Sequence, residues 1–398
     1  MNTVAKPKVV IFSDHLLYPS ETFIQAQASA LNEYEPVFAG SRRVTGLELP
    51  VEQVYTVNPG SLLGRLAELR FKILGSAPEM LKQLGRLSPV LLHAHYGPNG
   101  LRALPLASRL RVPLIVTFHG SDITITDLRH QKTYLGFRHY FANKGKLRKS
   151  DATFLGVSKF VQGKLLEHGF PPERVYVQYT GVDTKKFRPA STEERPIILF
   201  VGRLVEFKGT EFLIKAASEV QRQFPAAEVV LVGDGPLRKD LEALAKQSLR
   251  RYRFLGIRTL EEVRDWMNRT SVLCMPSVTT RSGEAEGFGM VCAEAQALGK
   301  PVVAFNCGGI PEIISHGTTG FLAPERDWHA LAGYLMLLLQ SAELRERFGR
   351  AARESILSQF DLEHCTRRLE RLYGMVLGAD TAPGEKNKWR ASLVESYS

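Results

Sequence analysis

The feature that most constrains the fold is a repeated alternation of short apolar runs with longer helix-forming stretches. In the first half of the chain, the runs Val9–Phe12, Val90–His93 and Pro113–Phe118 have the length of buried strands. The alternation resumes at Ile197–Gly202 and continues to Pro301–Phe305. Because parallel strands need a crossover helix between them, this pattern predicts an α/β protein with parallel sheets.

The chain divides into two alternating halves. At 398 residues it is too long for one ordinary domain, and the polar stretch 190–196 is the predicted linker. We expect two Rossmann-like doubly wound domains facing each other across a cleft, over residues 1–190 and 197–358. A helix at about 360–376 is expected to pack back on the first domain, and residues 379–398 to form a loose tail.

Composition excludes several classes of protein. The chain is 44% apolar and 23% charged, as in globular proteins, and has no run near the ~20 apolar residues of a membrane span. The apolar run near the N-terminus ends at Asp14, too early for a signal peptide, so we expect a cytoplasmic protein. The four cysteines lack C-x-x-C spacing, which favours buried thiols over disulfides or zinc ligands.

The net charge of +11 favours anionic partners. No nucleic-acid motif is present, so nucleic acid is not an expected partner. The segment 129–149 contains seven Lys or Arg residues and no Asp or Glu, with aromatic residues between them. Such a segment is typical of proteins that lie on an anionic membrane surface, so peripheral binding to the inner face of the cell membrane is predicted. The alternative is a solvated helix whose aromatic side chains face the core.

Two carboxylates, Glu286 and Glu294, flank a Gly-Phe-Gly turn in the second half. Helix formers begin at Met290, so Gly287, Phe288 and Gly289 are expected just before a helix N-terminus. Free backbone N–H groups there form an anion site. Acids beside a phosphate site suit a ligand that also carries hydroxyls, such as a nucleotide sugar. We therefore assign Glu294 to ribose hydroxyls and Glu286 to hydroxyls of the transferred group, and the alternative is a pair of surface acids.

Cations that suit a diphosphate follow the first strand of the second half. Arg203 and Lys208 lie in the loop between Gly202 and Gly209, where both can converge on one anion. Either side chain alone would more commonly be a solvated surface cation. The position of the loop after a strand and before a helix favours the binding site.

In the first half, His119 and Asp122 follow directly after a predicted strand. A single histidine is usually a core residue, but this position favours a contact with substrate, with Asp122 holding His119 or capping the next turn. His93 and His95 suggest a metal site, yet no suitable carboxylate cluster accompanies them. No metal is therefore expected.

In this order the motifs resemble the retaining glycosyltransferases of family 4, which have the two-domain GT-B architecture. The resemblance covers roughly residues 8–375. The motifs that carry it are Glu286-x7-Glu294, Gly202-Arg-Leu-x4-Gly209, Gly233-Asp-Gly-Pro236 and Gly308-Gly-x-Pro-Glu312. Pro19-Ser-Glu-Thr-Phe-Ile24, His93-Ala-His95 and His119-Gly-Ser-Asp122 are similar to a bacterial branch that builds exopolysaccharide or colanic acid.

The resemblance implies a donor held mainly by the C-terminal domain, without a metal or other cofactor. The implied catalytic residues are His119, Arg203, Lys208 and Glu286. The implied donor-binding residues are Gly202, Arg203, Lys208, Gly233, Ile257, Arg258, Glu286, Gly287, Phe288, Gly289, Met290 and Glu294, with Ile257 and Arg258 near the base. Ser20, Glu21, Thr22, His95 and Asp122 are expected on the acceptor side of the cleft. The chain departs from many members in having Pro19–Thr22 where a Gly-rich loop usually follows the first strand.

The implied reaction moves a hexose from a nucleotide-sugar donor to a lipid-linked or growing exopolysaccharide acceptor, with retention. UDP-glucose is the first expectation for the donor and GDP-mannose the second. The alternatives are a GT-B nucleotide-sugar epimerase or phosphorylase and a non-catalytic nucleotide-sugar-binding scaffold. The phosphorylase is disfavoured because no cofactor-lysine site is evident. A scaffold is disfavoured because the Arg, Lys, Glu and His residues are all present.

Overall fold

A computed structural model describes residues 5–126 and 135–378. The N-terminal sheet is parallel throughout and has the strand order β2-β3-β1-β5-β6-β7-β8, with β4 also paired to β3. Its strands are β1 (Lys8–Phe12), β2 (His15–Leu16), β3 (Glu35–Arg43), β4 (Val54–Asn58), β5 (Leu91–His95), β6 (Leu114–Phe118), β7 (Thr153–Gly156) and β8 (Val175–Val177).

Helices connect these strands and cover both faces of the sheet, as crossovers between parallel strands require. They are α1 (Thr22–Ser29), α2 (Leu62–Leu74), α3 (Pro78–Arg86), α4 (Gly97–Leu110), α5 (Ser121–Thr124), α6 (Leu135–Arg148) and α7 (Lys159–Glu167).

The C-terminal sheet has the order β11-β10-β9-β12-β13-β14 and is also parallel. Its strands are β9 (Arg195–Val201), β10 (Glu228–Val232), β11 (Tyr252–Gly256), β12 (Thr270–Met275), β13 (Val302–Phe305) and β14 (Gly320–Ala323). The helices are α8 (Thr210–Gln223), α9 (Arg238–Ser248), α10 (Leu260–Arg269), α11 (Met290–Ala297), α12 (Trp328–Gln340), α13 (Ala342–Ser355) and α14 (Leu362–Leu377).

The strand order reverses next to β1 and β5 in one sheet and next to β9 and β12 in the other. The central strands β5, β6 and β12 are buried along their whole length, which explains their continuous apolar character. Ligands of doubly wound sheets bind beyond the carboxyl ends of strands at such reversals. The expected fold of two doubly wound domains is confirmed.

The last helix returns to the N-terminal half. Leu369, Leu372 and Tyr373 of α14 are buried in the same apolar cluster as Val9 and Ile24. The Glu370 carboxylate accepts hydrogen bonds from the amides of Asn32 and Glu33 at 2.6 and 2.7 Å. The helix is therefore fixed to this half by both apolar packing and hydrogen bonds.

Some local features were not predicted from the sequence. Strands β3, β4 and β14 lack long apolar runs, and β4 and β14 also lie at sheet edges. Helix α13 ends at Ser355 and is followed directly by a π-helical turn from Ile356 to Phe360. Helix α1 begins at Thr22 without a side-chain cap. The predicted tail 379–398 lies outside the described residues.

Gly209 should be essential for stability. Its φ is +59°, and an added Cβ would lie 1.9 Å from the Pro276 carbonyl oxygen. Gly209→Ala should lower the thermal midpoint by at least about 4 °C, because backbone overlap and strain together cost about 2 kcal/mol or more. Gly333→Ala, in α12 with open space around it, should raise the midpoint slightly. Equal midpoints for the two variants by differential scanning calorimetry would contradict this prediction.

Candidate active site

The Gly-Phe-Gly turn of the C-terminal half meets the His119 loop of the N-terminal half. A Cβ on Gly287 would lie 2.0 Å from the His119 carbonyl oxygen, so no larger residue fits there. The Ser158 hydroxyl donates a hydrogen bond of 2.6 Å to the Gly287 carbonyl. The two predicted halves of the site therefore lie side by side at the carboxyl edges of the two sheets.

Glu312 ties the domains together beside this contact. Its carboxylate accepts hydrogen bonds from the amides of Lys159 and Phe160, both at 2.8 Å, in the first turn of α7. It also accepts a 2.7 Å hydrogen bond from the Tyr179 hydroxyl. A carboxylate at a helix N-terminus is electrostatically favoured. Glu312 belongs to the Gly308-Gly-Ile-Pro-Glu motif, but its contacts between the domains were not predicted from the sequence.

Helix α11 begins where the sequence predicted. Gly289 precedes it with a φ of +99°. The Phe288 side chain is buried, with its ring 5.4 Å from Tyr179 and 5.5 Å from Phe360. Only the backbone of Phe288 is therefore available to a ligand. The loop is supported from behind, since the Gly309 amide donates a 2.9 Å hydrogen bond to the Glu286 carbonyl.

Lys208 and Glu286 form an ion pair in the C-terminal domain. The Lys208 Nζ lies 2.6 Å from a Glu286 carboxylate oxygen, and the side chains are 12% and 14% exposed. The Ser277 hydroxyl donates to the same oxygen at 3.3 Å. The structure thus brings together two residues that the sequence assigned to different parts of the donor. Each side chain therefore restrains the position of the other.

Arg203 is exposed, and its guanidinium lies 5.7 Å from the Phe207 ring. It is also close enough to Tyr96, in the opposite domain, to affect its ionisation. Burial raises the pKa of Tyr96 well above its ordinary value, and Arg203 opposes that shift. Arg203 therefore lies on the C-terminal side of the cleft, within electrostatic range of the N-terminal domain.

Glu294 lies in the second turn of α11 and is partly exposed. Desolvation raises the pKa of its carboxyl group to about 8. No ion pair or hydrogen bond holds this carboxyl group among the described residues.

Two further predicted contacts lie at the ends of β10 and β11. Gly233 has a φ of +128°, and an added Cβ would lie 1.9 Å from the Gly202 carbonyl oxygen. The close approach of these loops thus depends on glycine. Ile257 is 76% exposed, and Arg258 lies 3.8 Å from Glu262. Both are accessible to a ligand.

His119 is part of a row of aromatic rings on the N-terminal side. A hydrogen bond of 3.1 Å joins His119 Nε2 to His95 Nδ1, and the His119 ring centroid lies 4.6 Å from Tyr96 and 5.0 Å from Phe23. Burial lowers the pKa of His119 well below its usual range and that of His95 to about 3. Both rings are therefore neutral at physiological pH and can exchange donor and acceptor roles.

Asp122 is fully buried and organises the His119 loop. Its carboxylate accepts hydrogen bonds from the amides of His119 at 3.1 Å and of Gly97 and Gly120 at 2.9 Å. Burial raises the pKa of Asp122 to about 6, and the three hydrogen bonds oppose that shift. Asp122 holds the loop through its backbone, so it supports the cleft rather than lining it.

His93 has a structural environment. It is buried, and its ring nitrogens lie 2.7 Å from the Tyr373 and Thr117 hydroxyls. Over residues 5–126 and 135–378, no group of three or more His, Cys, Asp or Glu residues is arranged to hold a metal ion. The four cysteines are free and buried.

The turn Pro19–Thr22 contributes Glu21 and connects to Tyr96. Glu21, which was expected on the acceptor side, is buried and accepts a 2.8 Å hydrogen bond from the Tyr18 amide. Burial raises the pKa of Glu21, while hydrogen bonds to Tyr18 and the Tyr96 side chain oppose the shift. Ser20 is exposed and Thr22 is partly buried. Tyr96 was not predicted as a site residue, although its φ of +72° marks a constrained position.

The basic segment 129–149 lies partly outside the described residues, and its described part includes α6. Tyr140 is buried, and Phe141 is partly buried against the core. Lys144 and Arg148 bind His168, through its Nδ1 and its carbonyl oxygen at 3.1 Å each. These contacts agree with the alternative of a solvated helix with aromatic residues in the core. No described helix is long and apolar enough to cross a membrane.

Family models match both halves of the chain. Residues 21–186 match the model Glycosyltransferase Family 4, and residues 182–355 match Glycosyl transferases group 1.

Curated relatives match at about 30% identity. AmsK of Erwinia amylovora, an amylovoran biosynthesis glycosyltransferase, is 30% identical over 71% of this chain and 69% of its own length. WcaL of Escherichia coli, named for colanic acid biosynthesis, is 31% identical over 70% of this chain and 69% of its own. Among solved structures, HepE of Anabaena superposes with a TM-score of 0.72 at 19% identity, over 93% of this chain and 100% of its own.

Two facing doubly wound domains with parallel sheets define the GT-B fold. The chain belongs to glycosyltransferase family 4, in the branch related to exopolysaccharide and colanic acid synthesis. These assignments confirm the family resemblance read from the sequence. The role of each site residue stays a prediction.

The raised pKa of Glu294 predicts a pH-dependent stability. The unfolded chain loses this proton near pH 4.5 and the folded chain near pH 8, so stability should fall across that interval and level off above it. Glu294→Gln should therefore stabilise the protein by roughly 1–3 kcal/mol more at pH 8 than at pH 4.5. Thermal melting at both pH values measures this difference. The exposed Glu346→Gln is the matched control, and an equal pH response in the two variants would contradict the assignment.

Proposed function

We propose that the protein transfers a hexose from a nucleotide-diphosphate sugar to a glycan or lipid-linked acceptor, with retention and without a metal. The observation that carries this proposal is the Lys208–Glu286 pair next to the N-terminus of α11, with Arg203 in the same domain. Backbone amides and two cations suit a diphosphate. Neighbouring carboxyl groups suit the hydroxyls of ribose and sugar.

Binding of the donor would redistribute the contacts of Lys208. In the absence of donor its ammonium is held by Glu286. A diphosphate carries more negative charge than one carboxylate. It would therefore attract the Lys208 ammonium toward the leaving group. Glu286 would then accept hydrogen bonds from sugar hydroxyls. Lys208 would gain most of its interaction as charge develops on the leaving phosphate, which is the condition for lowering the barrier.

The anomeric configuration is retained when the acceptor oxygen attacks the sugar from the same face that the phosphate leaves. The bond from the anomeric carbon to the phosphate breaks, the acceptor oxygen forms the new bond, and the leaving phosphate takes the acceptor proton. This route needs no dedicated base. It is in keeping with a cleft in which burial lowers the pKa of His119 and makes it a weak base, and in which Asp122 is occupied by backbone amides. His119 would contact the sugar from the opposite domain.

UDP-glucose is the first candidate donor and GDP-mannose the second. Anabaena HepE was solved in complex with UDP and glucose and with UDP-glucose, which supports testing this donor first. The names of AmsK and WcaL support a polysaccharide acceptor. We further propose a cytoplasmic protein that binds the membrane peripherally, the location at which lipid-linked acceptors would be reached.

The first test is a screen of purified protein against UDP-, GDP- and ADP-sugars for binding and slow nucleotide release. The protein should bind the sugars of one of these three nucleotides and slowly release the corresponding nucleoside diphosphate. Absence of binding at millimolar concentration would contradict the proposal. An epimerised donor without release would instead identify an epimerase, and binding without turnover in the presence of acceptors would indicate a scaffold.

Substitutions should separate binding from turnover. Lys208→Ala should lower kcat about 10²–10³-fold, because it removes stabilisation of the leaving phosphate. Glu294→Ala should mainly raise the donor KM, by about tenfold or more, through lost ribose hydrogen bonds. Lys215→Ala is the control, since the Lys215 side chain is 41% exposed and pairs with Glu211 one turn away. Unchanged kinetics in both site variants would refute the assignment.

A further inference from the structure

Helix α2 exposes an unusual apolar surface. Eleven large apolar side chains are exposed among the described residues, and six of them belong to this helix of 13 residues. Their exposed fractions range from 55% to 78%. They are Leu62, Leu63, Leu66, Leu69, Ile73 and Leu74. Scattered single apolar residues are ordinary on protein surfaces, but a concentration of this kind marks an interaction site.

The six side chains form one stripe. At 100° per residue they span a continuous arc of about 140°, and the opposite face carries the buried Gly64, Glu68 and Phe71. The helix is thus firmly packed on its inner side, where the Phe71 ring lies 6.2 Å from that of Phe12. The outer stripe is a second apolar face that the core does not use.

The charges on the helix suit an anionic surface. Arg70 lies within the apolar stripe and Arg65 at its edge, and both are exposed. The helix contains one acidic residue, Glu68, which is buried and bonded to Asn58 and Lys72. The outer face therefore combines leucine and isoleucine with arginine and carries no negative charge. A helix of this composition binds in the interface of an anionic bilayer.

We propose that the outer face of α2 docks the protein on an anionic phospholipid bilayer. The arginines would pair with lipid phosphates while the six apolar side chains enter the boundary between headgroups and acyl chains. A symmetric contact between two copies would bring like charges together at Arg70. It would also use far fewer than the roughly 20–30 residues per partner of a stable interface.

The position of α2 connects this surface to the cleft. On its inner side, Lys72 Nζ lies 3.8 Å from the Asp14 carboxylate, just beyond the carboxyl end of β1. Arg102 lies 3.3 Å from the same carboxylate. The carboxyl edge of this sheet also carries His119, so docking through α2 would bring the N-terminal side of the cleft near the bilayer. The benefit for a lipid-linked acceptor rests on the proposed function, whereas the docking itself does not.

A cavity extends the apolar surface inward. Its volume is about 470 Å³, and it lies between α2, α3 and β4, with Val57, Ala67 and Met80 in its wall. Arg70 also lines it and donates a 3.0 Å hydrogen bond to the Ser76 hydroxyl. Apolar groups of a lipid therefore have space beside the helix as well as along its exposed stripe.

The test is flotation of the full chain with vesicles of phosphatidylcholine alone or with about one third phosphatidylglycerol. The native protein should float with the anionic vesicles. Leu66→Gln/Leu69→Gln/Ile73→Gln should reduce binding at least tenfold, because it removes the apolar contact. Arg65→Gln/Arg70→Gln should reduce it about fivefold for each charge, and less at high salt.

Matched controls locate the effect. Leu166→Gln/Leu337→Gln/Leu357→Gln changes three exposed leucines elsewhere and should leave binding unchanged. Lys146→Gln/Lys149→Gln tests the basic segment 129–149 directly and should have a smaller effect than the α2 variants. All substituted positions are exposed, so thermal midpoints should stay near that of the native protein.

Three results would overturn the proposal. The first is a native protein that does not float with anionic vesicles, and the second is an α2 leucine variant that floats like the native protein. The third is a native dimer that the leucine variant converts to monomer, which would make a second copy the occupant. Donor binding is measured in parallel without vesicles. If the protein floats with anionic vesicles but binds no donor, the proposed function is contradicted and the proposed docking surface is not.

Discussion

The approach of the Gly287 backbone to the His119 carbonyl is the contact on which the arrangement of the cleft depends. Two peptide segments from different domains pass at a distance that leaves no space for a Cβ at position 287. The Ser158 hydroxyl bond and the Glu312 bonds to α7 fix the same junction. Each domain could fold around its own sheet without this junction. The junction places the donor-side helix N-terminus beside the histidine loop of the other domain.

Desolvation sets the chemistry of the groups around that junction. It keeps His95 and His119 neutral, and it raises the pKa of Glu294 to about 8. The positive charge available to a ligand therefore comes from Arg203, Lys208 and the N-terminus of α11. Such a site can attract a diphosphate and still offer uncharged hydrogen-bonding groups to sugar hydroxyls. The side chains of Lys208 and Glu286 are also largely removed from water. An anion that enters the site would therefore compete strongly with Glu286 for the Lys208 ammonium.

Much of the fold and part of the site could be predicted because the relevant signals are local. Apolar runs identified the central strands, and the glycines around Phe288 identified the start of α11 to the residue. Edge strands such as β4 and β14 were missed, since partial burial leaves mixed sequences. Tyr96 and Glu312 were missed as site residues for a different reason. Their importance comes from neighbours more than 70 residues away, including Arg203 for Tyr96 and Lys159 for Glu312.

The sequence by itself determined two α/β halves, the family, and the loops at strand ends that carry the basic, acidic and histidine residues. These follow from periodicity and spacing over short stretches of chain. The tertiary structure decided which loops meet across the cleft, which carboxyl groups lose water, and that the second apolar face of α2 remains exposed. The sequence of an apolar helical stripe is the same whether the stripe is buried or exposed. Whether it is buried depends on the packing of elements that are distant in the chain.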